Sequence, residues 1–100
     1  MTPIDIKMSP VTPGEFVKGN ILPDELSVAD AARHLGISRQ SLYALLNDSK
    51  SITGEMAKRF ELAFGVDASL LINHQARYDA WKADQRSDEL AESVTPFSYT

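Results

Sequence analysis

Between Ser27 and Leu46 two short apolar-periodic segments, each opened by a serine, meet at Gly36-Ile37. Ala31, Ala32 and Leu35 recur at helical spacing and give the first segment a narrow apolar face. Leu42, Leu45 and Leu46 do the same for the second. Gly36 stands where the first helix must stop in a left-handed conformation, which glycine adopts without steric cost. Ser38 can then cap the second helix by accepting a bond from an exposed backbone amide. Ala32 is small where a sharp bend brings the two helices together. Two segments so joined predict a helix-turn-helix, which lays its second helix in the major groove of DNA.

The flanking sequence supplies more helices and no strand pattern. Thr12-Pro13-Gly14-Glu15 is a strong helix start: threonine caps, proline suits the first helical position, and glutamate completes a capping box. Phe16, Val17, Ile21 and Leu22 carry an apolar face up to Pro23. After the motif, which ends near Asn47, comes the polar loop Asp48-Ser49-Lys50-Ser51. Ile52 can act as a hydrophobic staple before a cap at Thr53. A fourth helix is expected from Gly54 to about Phe64, with Met56, Phe60, Leu62, Ala63 and Phe64 apolar and Gly65 as its stop. A fifth and longer helix starts at Asp67 or Ala68 and runs to about Arg86, with Leu70, Leu71, His74, Tyr78 and Trp81 as its stripe. The expected chain is all-α: an extended arm over 1–11, a five-helix domain over 12–86, and an acidic tail over 87–100.

One domain of modest core fits 100 residues. The chain has no cysteine, so a disulfide framework or thiolate metal site is excluded. No apolar run approaches the roughly 20 residues of a membrane span. Met1 to Met8 lacks the basic start and apolar run of a secretory signal, so a cytoplasmic location with no membrane partner is expected. The two histidines, His34 and His74, have no carboxylate cluster at metal-ligand spacing beside them. With no Gly-rich phosphate loop or serine nucleophile motif, an enzyme is not expected, nor is a cofactor. His34 lies near a helix carboxy-terminus, where a cation favours the dipole, and His74 sits on the aromatic stripe.

The net charge of −4 argues against nucleic acid at first sight. Its distribution softens that objection, because phosphate affinity depends on local cation count. Between Ser27 and Phe60 stand Arg33, Arg39, Lys50, Lys58 and Arg59 against Asp30, Asp48 and Glu55. From Asp79 to Glu92 the balance reverses.

If Leu42, Leu45 and Leu46 face the core, Gln40, Tyr43, Ala44 and Asn47 occupy the opposite stripe. Arg39, Gln40, Tyr43 and Ala44 are the candidates for base edges. Gln40 has the donor and acceptor for bidentate reading of adenine, while Arg39 can read guanine or bind a phosphate. Tyr43 offers an aromatic edge for a thymine methyl. Ser27, Ser38, Ser41, Asn47, Lys50 and Thr53 are the candidates for phosphate contact, the capped helix starts presenting amides and hydroxyls. Tyr78 and Trp81 can serve as core, as a dimer surface or as a surface for a protein partner. Phe97 and Tyr99 in the tail join them as candidates for intersubunit structure.

From Pro13 to about Trp81 the chain resembles the HigA-type antitoxins, a branch of the Xre/Cro-like helix-turn-helix proteins. Pro13-Gly14-Glu15-Phe16, Leu35-Gly36-Ile37-Ser38-Arg39, Asn47 with Ile52-Thr53, and Asn73 through Trp81 carry the resemblance. It implies a lambda-repressor-like five-helix fold and a repressor of its own operon that neutralises a co-encoded RelE-like ribonuclease toxin. It also implies a homodimer on palindromic double-stranded operator DNA, with half-sites about 34–36 Å apart. Val28 departs from the pattern, standing where such proteins often carry a phosphate-anchoring glutamine. Asp48 and Ser49 replace a common Gly-Lys pair. A stand-alone regulator without a toxin and a toxin-binding module with weak DNA affinity are the alternatives.

Overall fold

The computed structural model describes residues 10–99; residues 1–9 of the expected arm and Thr100 of the tail lie outside the described residues. Six helices follow in order: α1 Pro13–Asn20, α2 Val28–Leu35, α3 Arg39–Leu46, α4 Gly54–Phe64, α5 Ala68–Gln85 and α6 Ser87–Ala91. Among the described residues there is no strand. The five expected helices are present, and the short α6 lies within the stretch read as tail.

Each of the helices α1 to α5 starts where a side chain satisfies an amide that the helix itself leaves unpaired, whereas α6 has no side-chain cap. Thr12 and Glu15 form the capping box of α1, with Pro13 at its first position. Ser27, Ser38, Thr53 and Asp67 accept from the amides of Asp30, Ser41, Met56 and Ser69. Gly36 (φ 73°) and Gly65 (φ 76°) end α2 and α4 in the left-handed region. At the hinge, Ile37 N–H donates to the Ala32 carbonyl at 3.0 Å, closing the last turn of α2. α1 stops at Asn20, short of Pro23, because Gly19-Asn20 is a poor helical pair and the Asn20 side chain bonds the Phe16 carbonyl at 3.2 Å.

The core gathers one face from each of α1 to α5. Val17, the trio Ala31, Ala32 and Leu35, the trio Leu42, Leu45 and Leu46, Ile52, Ala57, Phe60 and Leu71 are all buried. Ile52 sits one residue before the Thr53 cap and is buried with Ala57, as a hydrophobic staple requires. Leu62 is not part of this face and is 80% exposed, because two residues beyond Phe60 a helix has turned some 200°. On α5, Leu71 takes the buried position and Leu70 is left half in solvent.

From Lys82 to Tyr99 every residue is exposed. The second half of α5, α6 and the tail therefore project from the domain, and the described chain measures 55 × 32 × 23 Å.

Candidate nucleic-acid interface

α3 is held at both ends, so its outward stripe has a fixed orientation. At its start, Ser38 Oγ accepts the Ser41 N–H and bonds the Ser41 hydroxyl, both at 3.0 Å. The hinge before it is braced by Arg59, whose guanidinium donates to the carbonyl of Leu35 at 3.0 Å and of Gly36 at 3.4 Å and also pairs with Glu55. At its far end the Asn47 carboxamide oxygen accepts the Ser49 N–H and hydroxyl, and the Ala44 carbonyl takes the Ser49 and Lys50 amides. There the backbone of α1 lies against the last turn of α3. A Cβ on Gly14 would fall 2.3 Å from the Leu46 carbonyl oxygen, so no side chain fits. Gly14 N–H donates to Asp48 Oδ1 at 2.8 Å.

On this frame Arg39, Gln40 and Tyr43 stand exposed on the outward stripe of α3, with Ser41 and Ala44 half-buried. None of the three makes a side-chain hydrogen bond or ion pair with the described residues. Ser27, Ser38, Asn47, Lys50 and Thr53 are exposed around them at helix starts and in the loop after α3. The Ser27 and Thr53 hydroxyls accept from backbone amides and keep their protons to donate elsewhere. Asn47 keeps its two amide hydrogens, its oxygen being engaged in the turn.

The five cations of residues 27–60 do not act as one pool. Arg33 pairs with Asp30 at 2.7 Å, and this bond and charge hold the Asp30 carboxyl below its usual range. Lys58 pairs with Glu61, lowering that carboxyl and raising the lysine. Arg59 serves the hinge. Arg39 and Lys50 are the two left without an anionic partner among the described residues. Sequence composition could not separate paired from free cations, because the partners are set by helix registry and, for Arg59, by contacts more than 20 residues away.

Gln75 escaped the sequence reading. It is 7% exposed, its Oε1 accepts the Ile52 N–H at 2.8 Å, and its Nε2 donates to Asp79 at 3.0 Å. This ties α5 to the residue that leads into the Thr53 cap. Its only local signal is a polar residue at the helical spacing of Leu71 and Tyr78 on the inward stripe.

The histidines have structural partners. His74 stacks on Phe16 (4.8 Å between centroids) and its Nε2–H donates to the Val11 carbonyl at 2.8 Å, while His34 lies tilted against Phe64. Tyr78 and Trp81 stack at 6.2 Å, both half-buried, with Lys82 over the Tyr78 ring. Trp81 Nε1 is buried without a hydrogen-bond partner among the described residues. Phe97 (74% exposed) and Tyr99 (92%) pair edge-on with each other and are not buried by the domain.

An all-helical domain whose third helix is braced at both ends and bare along its outer stripe defines a helix-turn-helix DNA-binding fold. The helix-turn-helix family model matches residues 24–71. The uncharacterized HTH-type transcriptional regulator YbaQ of Escherichia coli (strain K12) is 31% identical over 94 residues, spanning 90% of this chain and 83% of its own. A solved addiction module antidote protein of a HigA family from Coxiella burnetii is 30% identical, with a TM-score of 0.70 over 90% of this chain and all of its own. The antitoxin GraA, 26% identical, superposes with a TM-score of 0.79 over 90% of this chain and 99% of its own, and has also been solved in complex with its operator. The chain belongs to the Xre-like helix-turn-helix family, in its HigA-type antitoxin branch.

Proposed function

We propose that this chain represses its own operon by reading a palindromic operator as a homodimer, and that it neutralises a co-encoded RelE-like ribonuclease toxin in the cytoplasm. The carrying observation is the α3 stripe: Arg39, Gln40 and Tyr43 are exposed, and without a side-chain partner among the described residues, on a helix fixed at both ends. In the proposed complex Gln40 reads an adenine edge, and Arg39 reads guanine or binds a phosphate. Tyr43 and Ala44 meet thymine methyls. Ser27, Ser38, Ser41, Asn47, Lys50 and Thr53 grip the backbone through hydroxyls, amides and the Lys50 ammonium. Tyr78, Trp81, Phe97 and Tyr99 form intersubunit structure, the last two because they are apolar and unburied by their own domain.

The named antitoxins among the relatives support the toxin half of this reading, and GraA's complex with its operator supports the repressor half. A second reading, a toxin-binding module with weak DNA affinity, is favoured by the internal pairing of Arg33, Lys58 and Arg59. Gln40→Ala separates them. Loss of about 1–3 kcal/mol of binding to the upstream duplex, with scrambled DNA unaffected, is expected if a bidentate contact goes. Unchanged binding rejects Gln40 as a base reader. Co-purification with the product of a neighbouring reading frame for a small basic ribonuclease tests the toxin; its failure would leave a stand-alone regulator.

A further inference from the structure

The turn that follows α3 carries an aspartate where two physical costs meet. Asp48 has φ 64°, a left-handed conformation that glycine enters freely and an L side chain does not. Its carboxylate also stands beside the helix proposed to face phosphates, where an acid opposes binding. Glycine at this position would relieve both. What the aspartate supplies instead is its bond to Gly14 N–H, reaching 34 residues back to the start of α1 at 2.8 Å. An anion there is favoured by the unpaired amides of the α1 amino-terminus.

We propose that Asp48 is a positioning residue for DNA reading: through Gly14 it sets the angle of α3 on α1, and so where Arg39 and Gln40 stand. The role in DNA reading rests on the identification of α3 as the recognition helix. Asn47 and Ser49 bond each other and, through the Ser49 hydroxyl, the Ala44 carbonyl of α3 itself, so among residues 47–49 Asp48 makes the one described side-chain bond to another helix. The joint it locks has no slack, since α1 backbone at Gly14 lies directly on the Leu45 and Leu46 carbonyls. The length of α3, about 12 Å for eight residues, amplifies any play at this end. A tilt of about 5° here moves Arg39 by roughly 1 Å, beyond the ~0.5 Å that a functional constellation tolerates.

Two substitutions in the full chain separate geometry from charge. Asp48→Asn removes the charge and keeps both an acceptor and a tolerance of the left-handed region. Asp48→Gly removes charge and acceptor but relieves the backbone, so both variants are expected to stay folded. Residual dipolar couplings by NMR report the angle of α3 on α1, and fluorescence anisotropy reports binding to the upstream and a scrambled duplex. Asp48→Asn should leave the couplings and the preference for the upstream duplex unchanged while tightening both complexes. Asp48→Gly should shift the α3 couplings and lower the preference about ten-fold, even as scrambled DNA binds more tightly. Unchanged α3 couplings in Asp48→Gly, or a preference equal to that of Asp48→Asn, overturns the proposal. If the unsubstituted chain itself shows no preference, the recognition reading fails, and the couplings still decide whether Asp48 fixes α3.

Discussion

Residues 13–75 and residues 82–99 obey different rules. In the first region each of the helices α1 to α5 buries a face, and long-range polar bonds from Asp48, Arg59 and Gln75 join the helices. In the second, no residue is buried, and the ion pairs Lys82–Asp79 and Arg86–Glu89 link only residues of the same or adjacent helices. The second region nevertheless carries Leu90, Val94, Phe97 and Tyr99, half of the large hydrophobics exposed in the described chain. Folding free energy therefore resides in the first region, where apolar area leaves water. The apolar groups of the second do nothing for the isolated domain, which is why an intersubunit role is proposed for them.

Core truncation breaks this contrast most severely. Phe60 is the largest fully buried side chain, and Phe60→Ala should cost about 3–5 kcal/mol in urea unfolding. Phe97→Ala with Tyr99→Ala should change monomer stability by less than about 0.5 kcal/mol, measured at a concentration where sedimentation reports a single chain. A large loss from the tail pair under those conditions would erase the distinction. Gly14→Ala comes next: its Cβ would lie 2.3 Å from one carbonyl oxygen and 2.7 Å from another, and backbone cannot swing aside. A loss of about 1–3 kcal/mol should outweigh the gain in helix propensity, with a lowered thermal midpoint as the readout.

Gln75→Leu sharpens the contrast from the polar side. It strands the buried Ile52 amide and should cost about 1–3 kcal/mol, seen together with faster hydrogen exchange at Ile52. The smallest expected effect is acid sensitivity. The Asp30, Glu61 and Asp67 carboxyls lie below their usual values, chiefly through bonds from Arg33, Lys58 and Ser69. A depressed carboxyl stabilises the fold above its unfolded value and ceases to do so as pH falls through the lower folded one. Urea midpoints should therefore slope gently downward below about pH 4, and Asp30→Asn should flatten that slope.

What was legible in the sequence is what local rules encode. The Thr12-Glu15 capping box, the stops at Gly36 and Gly65, and the core faces of α2 and α3 all follow from spacing and side-chain chemistry within one or two turns. The resemblance from Pro13 to Trp81 supplied the family. Contacts that fix the candidate interface lay beyond such rules. Asp48 reads locally as a loop acid, and only the fold brings it to Gly14. Arg59 counts as one of five local cations until the hinge carbonyls appear beside it. Leu62 and Leu70 read as apolar members of their helices, and both are exposed, because an apolar residue on a helix does not say which neighbour covers it. Pairing across long sequence separation is a property of packing, and hydrophobic period carries no record of it.

The central claim is that the outer stripe of α3 reads sequence. Its most direct test is fluorescence-anisotropy binding of the full chain to its own upstream DNA and to a scrambled duplex at two salt concentrations. Tight binding that prefers the upstream duplex at both salts is the predicted result. Equal, weak binding to both duplexes that vanishes with added salt would reduce the interaction to phosphate attraction and contradict the claim.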